Sequence, residues 1–204
     1  NWGAGLQLAG SFATLVRCKM SRNLSWGQFP GGAGLQANGG ATRLVDCEIF
    51  ENVGFASGDA VGGENITLVN CKIWGNQAGV ATLSGSSAMV NCAVWGNSPC
   101  CPQYIGGVST GLRSGSLTLT NCTITGNHCE GDHDAGVLLY RGTNLAVSNC
   151  IIWGNFGPSI RRDGDAKCDV GFSAIEGEVV CLGGQNIFED PRFVSAGAYD
   201  FERL

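Results

Sequence analysis

The chain has 204 residues, a formal net charge of −5 and no run of Lys or Arg, so it lacks the basic surface that nucleic-acid-binding proteins use. No apolar segment approaches the roughly 20 residues of a membrane-spanning helix. With 33 glycines and only 14% charged residues, the composition suits tight turns and inward-facing side chains. The length predicts a single domain over 1–204.

A nine-residue pattern, clearest as Leu-Val-Asn-Cys-Lys-Ile-Trp-Gly-Asn, recurs along the chain. Looser copies stand at 15–23 and 44–52, close copies at 68–76, 89–97, 119–127 and 147–155, and a degenerate copy at 170–178. The degenerate copy has Ser173 where the others share a cysteine. The shared cysteines are 21 to 30 residues apart, which is a spacing typical of repeat architectures.

The residues around each copy alternate in a way that predicts short β-strands. Leu117 and Leu119 are apolar, as are Cys122 and Ile124, and a period of two is typical of strands with one buried face. The phase breaks at Asn121, where a tight left-handed bend would keep both flanking strands pointing inward. Glycine-led apolar segments precede the pattern at 5–8, 34–37, 79–82, 107–110 and 136–139.

Three short strands per coil, a fixed bend and variable loops predict an all-β fold, the right-handed parallel β-helix, with about seven coils. Residues at equivalent bends should then stack along the axis, about 4.8 Å apart. Parallel Cβ vectors suit disulfides poorly, so the shared cysteines are expected to be buried thiols. The outer asparagine ladder is assigned to Asp46, Asn70, Asn91, Asn121 and Asn149, and the cysteine ladder to Cys18, Cys47, Cys71, Cys92, Cys122 and Cys150.

The five remaining cysteines lie in loops or in an irregular closing segment, 168–204. Because the fourth and fifth coils are neighbours, Cys129 is expected to pair with Cys100 or Cys101. Cys168 with Cys181 is the second expected disulfide, and one cysteine is left over. Such cysteine usage favours an extracellular or cell-surface location.

The Gly-Gly-(Val/Leu) starts, the Asn-Cys-x-Ile bends and the Ile-Ile-Trp-Gly-Asn endings resemble the pectate-lyase-like β-helix superfamily. Asp-Pro-Arg-Phe-Val at 190–194, followed by Tyr-Asp-Phe at 199–201, is similar to the closing segment of bacterial surface β-helix proteins with a choice-of-anchor sorting region. The resemblance implies the fold for nearly the whole chain. It leaves the activity open, since the superfamily mixes enzymes with stalks and adhesins. The chain starts in mid-coil, so a piece of a longer or processed protein is expected.

Two surfaces of the predicted helix are candidates for binding. Six loops leave the same corner, after the third strand of each coil, and form one loop edge. The third strands also carry an aromatic row on their outward positions, in which Trp74 and Trp95 are expected to be direct neighbours. Such a row either binds sugar rings or a partner, or stabilises the sheet by stacking on itself. The aromatic row is assigned to Phe50, Trp74, Trp95 and Trp153.

Catalysis and metal binding have fewer candidate residues. Glu130, Asp132, His133 and Asp134 could hold an ion such as calcium, but their spacing matches no recognised metal motif. The resemblance implies that an enzyme of this superfamily would bind substrate across the glycine-led sheet. The candidate catalytic groups are His133 and Asp134 acting with Arg141, which would reach in from the loop edge. The outward residues assigned to that sheet carry almost no charge: Gln7, Ala9, Gln36, Asn38, Gly62, Glu64, Ala81, Leu83, Ser109, Gly111, Leu138 and Tyr140.

The sequence therefore predicts a non-catalytic structural or adhesive module, outside the cell or on its surface. Its partner would be a glycan, another protein or further copies of itself stacked end to end, and no cofactor is expected. The alternative is a polysaccharide lyase or glycoside hydrolase that uses the loop edge of the fifth and sixth coils.

Overall fold

The computed structural model describes residues 5–25, 32–54, 59–98, 106–128, 136–177, 181 and 183–193. In these ranges all regular elements are β-strands, and no helix is long and apolar enough to cross a membrane. The strands are β1 Leu6–Ala9, β2 Phe12–Val16, β3 Lys19–Ser21, β4 Leu24–Ser25, β5 Leu35–Asn38, β6 Ala41–Val45, β7 Glu48–Phe50, β8 Val53–Gly54, β9 Asp59–Glu64, β10 Ile66–Val69, β11 Lys72–Trp74, β12 Gly79–Val90, β13 Ala93–Trp95, β14 Val108–Thr120, β15 Thr123–Thr125, β16 Val137–Leu139, β17 Thr143–Ser148, β18 Ile151–Trp153, β19 Ile160–Arg162, β20 Lys167–Gly171 and β21 Ala174–Ile175.

Each strand pairs in parallel with its counterpart in the next repeat, not with its neighbour in sequence. One sheet has seven strands in the order β21-β18-β15-β13-β11-β7-β3, one from each repeat. A larger sheet of 12 strands combines the first and second strands of the coils, and β4 pairs with β8 in a small third sheet. This topology confirms the predicted parallel β-helix.

The coils around β12 and β14 differ from the expected pattern. Instead of two short strands, each contributes one strand of 12 or 13 residues, with a register shift between Leu83 and Gly85. The register expected for this coil was also wrong by one residue. The outward residues assigned from the sequence place Ala81 beside Gly62, but the register partner of Gly62 is Thr82. Leu83 is buried, with 1% of its surface exposed. Side chains alternate with a period of two, so a one-residue slip moves every side chain to the other face.

The core is a set of stacked inward-facing side chains. In the seven-stranded sheet, Ile73 pairs with Ile49 on one side and with Val94 on the other, and all three are fully buried. The same column continues through Ile124 and Ile152. Fully burying a side chain of this size contributes about 1.5–3 kcal/mol, so one column repeated over the coils supplies much of the stability.

The last coil is covered by residues from the closing segment. Regular strands continue to Ile175, so the irregular closing segment begins after β21 and not at residue 168 as expected. Within it, Ile187 forms an isolated parallel bridge with Ala174. The Asn186 side chain donates to the Val170 carbonyl at 2.7 Å and accepts the Ser173 N–H at 3.1 Å. The closing segment thus takes the position that a further coil would occupy.

Candidate functional site

The aromatic row forms a stack over three coils. Trp74 lies in register with Phe50 of β7 and Trp95 of β13. The ring centroids of Phe50 and Trp74 are 4.4 Å apart, and those of Trp74 and Trp95 are 5.1 Å apart. The ring planes agree to within 6° and 4°. Both faces of the Trp74 indole therefore contact another ring, which is the stabilising arrangement expected of neighbouring strands.

The row has a defined end on each side. In the first coil, Ser21 is the register partner of Phe50, so no aromatic side chain continues the row at that position. In the other direction, Thr125 lies in register between Trp95 and Trp153. Trp153 is thus separated from the three stacked rings by one coil.

A groove with a volume of about 360 Å³ lies beside the stacked rings. Charged side chains also line it, and Glu48 stands in register between Lys19 and Lys72. The Lys19 Nζ lies 2.7 Å from the Glu48 Oε2, in an ion pair whose lysine is largely exposed. The groove is lined by Lys19, Glu48, Phe50, Glu51, Lys72, Trp74 and Trp95.

Of the residues suggested for catalysis, only Arg141 lies in the described part of the chain. The Arg141 Nε lies 3.6 Å from the Asp165 Oδ1, and both side chains are largely exposed. His133 and Asp134 lie outside the described residues. The suggested metal ligands Glu130 and Asp132 also lie outside them. Among the residues that are described, no group of three or more His, Cys, Asp or Glu side chains is arranged to hold a metal ion.

The surroundings of Tyr140 are a feature that sequence reasoning did not find. Burial, followed by the negative charges of Asp163 and Asp59, raises the pKa of Tyr140 above its ordinary value. The Arg161 Nε lies 3.9 Å from the Asp163 Oδ1. Tyr140 and Asp163 belong to neighbouring coils, whereas Asp59 lies in β9, three strands from β16 in the same sheet.

The outer asparagine ladder is confirmed. Its members have positive φ angles of 53° or 54°, the left-handed conformation that asparagine tolerates. The Asn70 Nδ2 donates to the Asp46 Oδ1 at 3.0 Å, Asn91 donates to Asn70 at 3.2 Å, and Asn121 donates to Asn91 at 3.0 Å. These side chains are exposed, so the ladder lies on the surface of the helix.

A second, inner asparagine ladder runs through the second corner of the coils. The Asn76 Nδ2 donates to the Asn97 Oδ1 at 2.8 Å, and the same oxygen accepts the Asn76 N–H at 3.0 Å. Four of the six members are at most 1% exposed. The signal was present in the sequence as the final residue of each repeat, but the pattern does not reveal burial. The members are Asn23, Asn52, Asn76, Asn97, Asn127 and Asn155.

The six shared cysteines are free thiols, and all but Cys18 are buried. Each thiol donates to the carbonyl two residues before it, at 3.3 Å for Cys92 and Cys122. The Cys122 N–H donates to the Cys150 Sγ at 3.3 Å. Ser173 continues the ladder, because its Oγ accepts the Cys150 N–H at 3.0 Å.

Neighbouring thiols in the cysteine ladder affect one another's protonation. Hydrogen bonds with Cys150 and then Cys92 lower the pKa of Cys122. Hydrogen bonds with Cys122 and then Cys71 raise the pKa of Cys92. While all the thiols are protonated, each S–H donates to its carbonyl. When Cys122 loses its proton, a neighbouring S–H that donates to its sulfur instead stabilises the thiolate.

Among the remaining cysteines, Cys168 and Cys181 form the expected disulfide, with a Cα–Cα distance of 5.0 Å. The bridge ties the closing segment to β20. The other expected pairing, Cys129 with Cys100 or Cys101, lies outside the described residues.

Comparison with known proteins agrees with this architecture. The family described as "right handed beta helix region" matches residues 4–175, which is most of the chain. The searches found no curated protein and no solved structure that matches the chain. The repeated corners, the parallel pairing of successive coils and the family match lead to one conclusion: the chain belongs to the right-handed β-helix family.

Proposed function

We propose that the chain is a non-catalytic β-helix module, outside the cell or on its surface, that binds a neutral glycan in the groove beside the stacked rings. The observation that carries the proposal is the composition of this groove. Aromatic rings and charged side chains both line it. A sugar presents apolar C–H groups, which suit the aromatic rings, and hydroxyl groups, which suit the charged side chains.

The charges of the groove favour a neutral ligand. The lining contains two lysines, Lys19 and Lys72, and two glutamates, Glu48 and Glu51, so it has no net charge. The Glu51 Oε2 also accepts from the Arg22 Nε at 2.6 Å. An acidic polysaccharide would meet as many carboxylates as ammonium groups. Hydroxyl groups, in contrast, can accept from lysine and donate to glutamate.

The disulfide supports a location outside the cell, and the closing segment supports a binding module over a filament. Cys168–Cys181 is a bond typical of proteins from oxidising compartments. Residues of the closing segment pair with the last coil, and a second copy stacked at that end would have to displace them. We therefore propose a binding module in preference to an end-to-end filament.

Lys72→Ala and Glu51→Ala are expected to weaken glycan binding by about 10- to 100-fold each, because a hydrogen bond to a charged group contributes about 1.5–3 kcal/mol. Affinity electrophoresis against a panel of neutral and acidic polysaccharides measures the change. Both residues are exposed, so the melting temperature should stay within a few degrees of the parent value.

Trp153→Ala is the matched control, because this tryptophan occupies the same kind of outward strand position but does not line the groove. It should leave glycan binding unchanged. Equal losses from Trp153→Ala and Lys72→Ala, or retention on acidic polysaccharides alone, would contradict the proposed site.

A further inference from the structure

We propose that the sugar-binding position is a slot on the face of Phe50 that is turned toward the first coil, where the aromatic row has Ser21 instead of a ring. The ligand class is a neutral hexopyranose, whose ring would lie face to face on the Phe50 ring. This site depends on the proposed glycan binding and adds the position and the orientation of the bound sugar. The ring faces that are already covered and the ion pairs beside the slot both point to it.

Most of the ring surface in the aromatic row is covered by other rings. Trp74 is stacked between Phe50 and Trp95, so neither face of its indole is open to a sugar. Trp95 is buried, with 5% of its surface exposed. Phe50 is half-buried, lines the groove and has one face against Trp74. On the other side its register partner is Ser21, and no ring of the described residues covers that face. Face-on contact with a sugar is therefore possible at Phe50 and not at Trp74.

The slot has the thickness of one ring. Register partners in neighbouring strands are about 4.8 Å apart, and the ring centroids in the row are 4.4 and 5.1 Å apart. A ring in the first coil would continue the row at this spacing, but Ser21 fills only a small part of that space. The face of a pyranose chair carries axial C–H groups, which are attracted to the negative face of an aromatic ring at a similar separation. A sugar ring can therefore take the place of the missing aromatic side chain.

Two ion pairs that link the first coil to the second flank the slot. The Lys19 Nζ lies 2.7 Å from the Glu48 Oε2, and the Arg22 Nε lies 2.6 Å from the Glu51 Oε2. The first pair precedes the position of Phe50 by two residues, and the second directly follows it. Equatorial hydroxyl groups of a stacked pyranose point sideways from the ring. They would therefore meet, on each side, one group that donates and one that accepts hydrogen bonds.

The arrangement favours a neutral sugar that has one face without axial hydroxyl groups. Each ion pair has no net charge, so a sugar carboxylate would gain no attraction from them. The representative ligand is a β-glucopyranose ring, because all of its hydroxyl groups are equatorial and its H1, H3 and H5 atoms project from one face. That face would lie on Phe50. An axial hydroxyl group on the same face, as in β-allopyranose, would hold the sugar away from the aromatic surface.

The test uses the full-length chain with methyl β-D-glucopyranoside as the probe. Saturation-transfer difference NMR, with irradiation of the aromatic protons of the protein, measures which sugar protons lie against a ring. H1, H3 and H5 are expected to receive clearly more saturation than H2 and H4. Methyl β-D-allopyranoside, which differs only at the third carbon, is expected to bind about 10-fold more weakly.

Ser21→Trp should fill the slot by continuing the row, so it is expected to weaken probe binding about 10-fold or more without lowering the melting temperature. Phe50→Leu keeps an apolar side chain but removes the ring face, and binding should fall about 10-fold, whereas Phe50→Tyr keeps the face and should retain binding. Thr118→Trp is the matched control, because Thr118 is an exposed position of β14, in the other large sheet. It should leave the affinity within about twofold of the parent value.

The possible failures of the slot and of glycan binding are distinguishable. Probe binding retained in Ser21→Trp but lost in Glu51→Ala would overturn the slot and leave glycan binding in place. Equal saturation of all ring protons, or a parent chain that binds a neutral polysaccharide but not the probe, would do the same. A parent chain that binds no neutral sugar overturns both. If Ser21→Trp does not fold, equal affinities of Phe50→Leu and Phe50→Tyr would contradict stacking on Phe50.

Discussion

Asn97→Ala is expected to lower the free energy of unfolding by about 3–5 kcal/mol, since buried polar groups left without partners cost about 1–3 kcal/mol each. The Asn97 Oδ1 accepts the N–H and the Nδ2 of Asn76, at 3.0 and 2.8 Å. The Asn97 Nδ2 donates to the carbonyls of Ile73 and Trp95 and to the Asn127 Oδ1, at 3.1, 3.0 and 2.9 Å. Alanine removes all five bonds at a fully buried position.

The comparison for Asn97→Ala is Asn91→Gly in the outer ladder. Asn91 also bonds to the coils on both sides, but its side chain is exposed and water replaces the lost partners. Its φ of 53° suits glycine, so a loss below about 1 kcal/mol is expected. Urea denaturation followed by circular dichroism measures both variants. Similar losses for the two would show that burial is not what makes the inner ladder stabilising.

Gly63→Ala is expected to destabilise the protein by more than about 3 kcal/mol or to prevent folding. Gly63 has a φ of 140°, in a region that other residues rarely adopt. A Cβ at this position would overlap the backbone carbonyl oxygen of Ala37 in the preceding coil. Because Ala37 and Gly63 are register partners in β5 and β9, the clash would separate two coils that stack directly on each other.

Hydrogen exchange should locate the damage from Gly63→Ala in the first coils, because each repeat contacts mainly its neighbours. Gly75→Ala is the matched substitution. Gly75 also has a positive φ, 59°, but a Cβ there meets nothing within 4 Å. Glu51, in the preceding coil, adopts nearly the same φ of 53° with a full side chain. Gly75→Ala is therefore expected to lower the free energy of unfolding by about 1–2 kcal/mol. If Gly75→Ala destabilised the protein as much as Gly63→Ala or more, the steric explanation would be contradicted.

The architecture was predictable because the same interactions recur in every coil. Asn121 breaks the alternation of apolar residues, and the structure gives it the expected left-handed conformation, φ 54°. In this copy Cys122 follows at the first inward position, where a small apolar side chain fits, and a cysteine stands at the same position in five other copies. Because a cysteine occurs at this position in six of the seven copies, the repetition itself indicates that the position is buried. A single strand would not give that indication.

The coil around Gly79 was predicted less well because local sequence does not determine register. Gly79 resembles the glycine that starts other coils, but it pairs with Asp59, two residues before the core position Val61. In the second coil, Gly34 stands only one residue before its core position Leu35, the partner of Val61. Register there depends on which side chains fill the core, and that is a property of the neighbouring coils.

The sequence by itself determined the winding of the chain, the two corners of each coil, the cysteine ladder and the Trp74–Trp95 contact, because each follows from a periodic pattern of residue types. Only the tertiary structure decided that the final asparagine of the repeat is buried, that the rings lie face to face, and that charged residues of neighbouring coils form a groove beside them. Those features depend on distances between residues that are 21 to 30 positions apart in the chain, and stacking of the coils is what sets those distances.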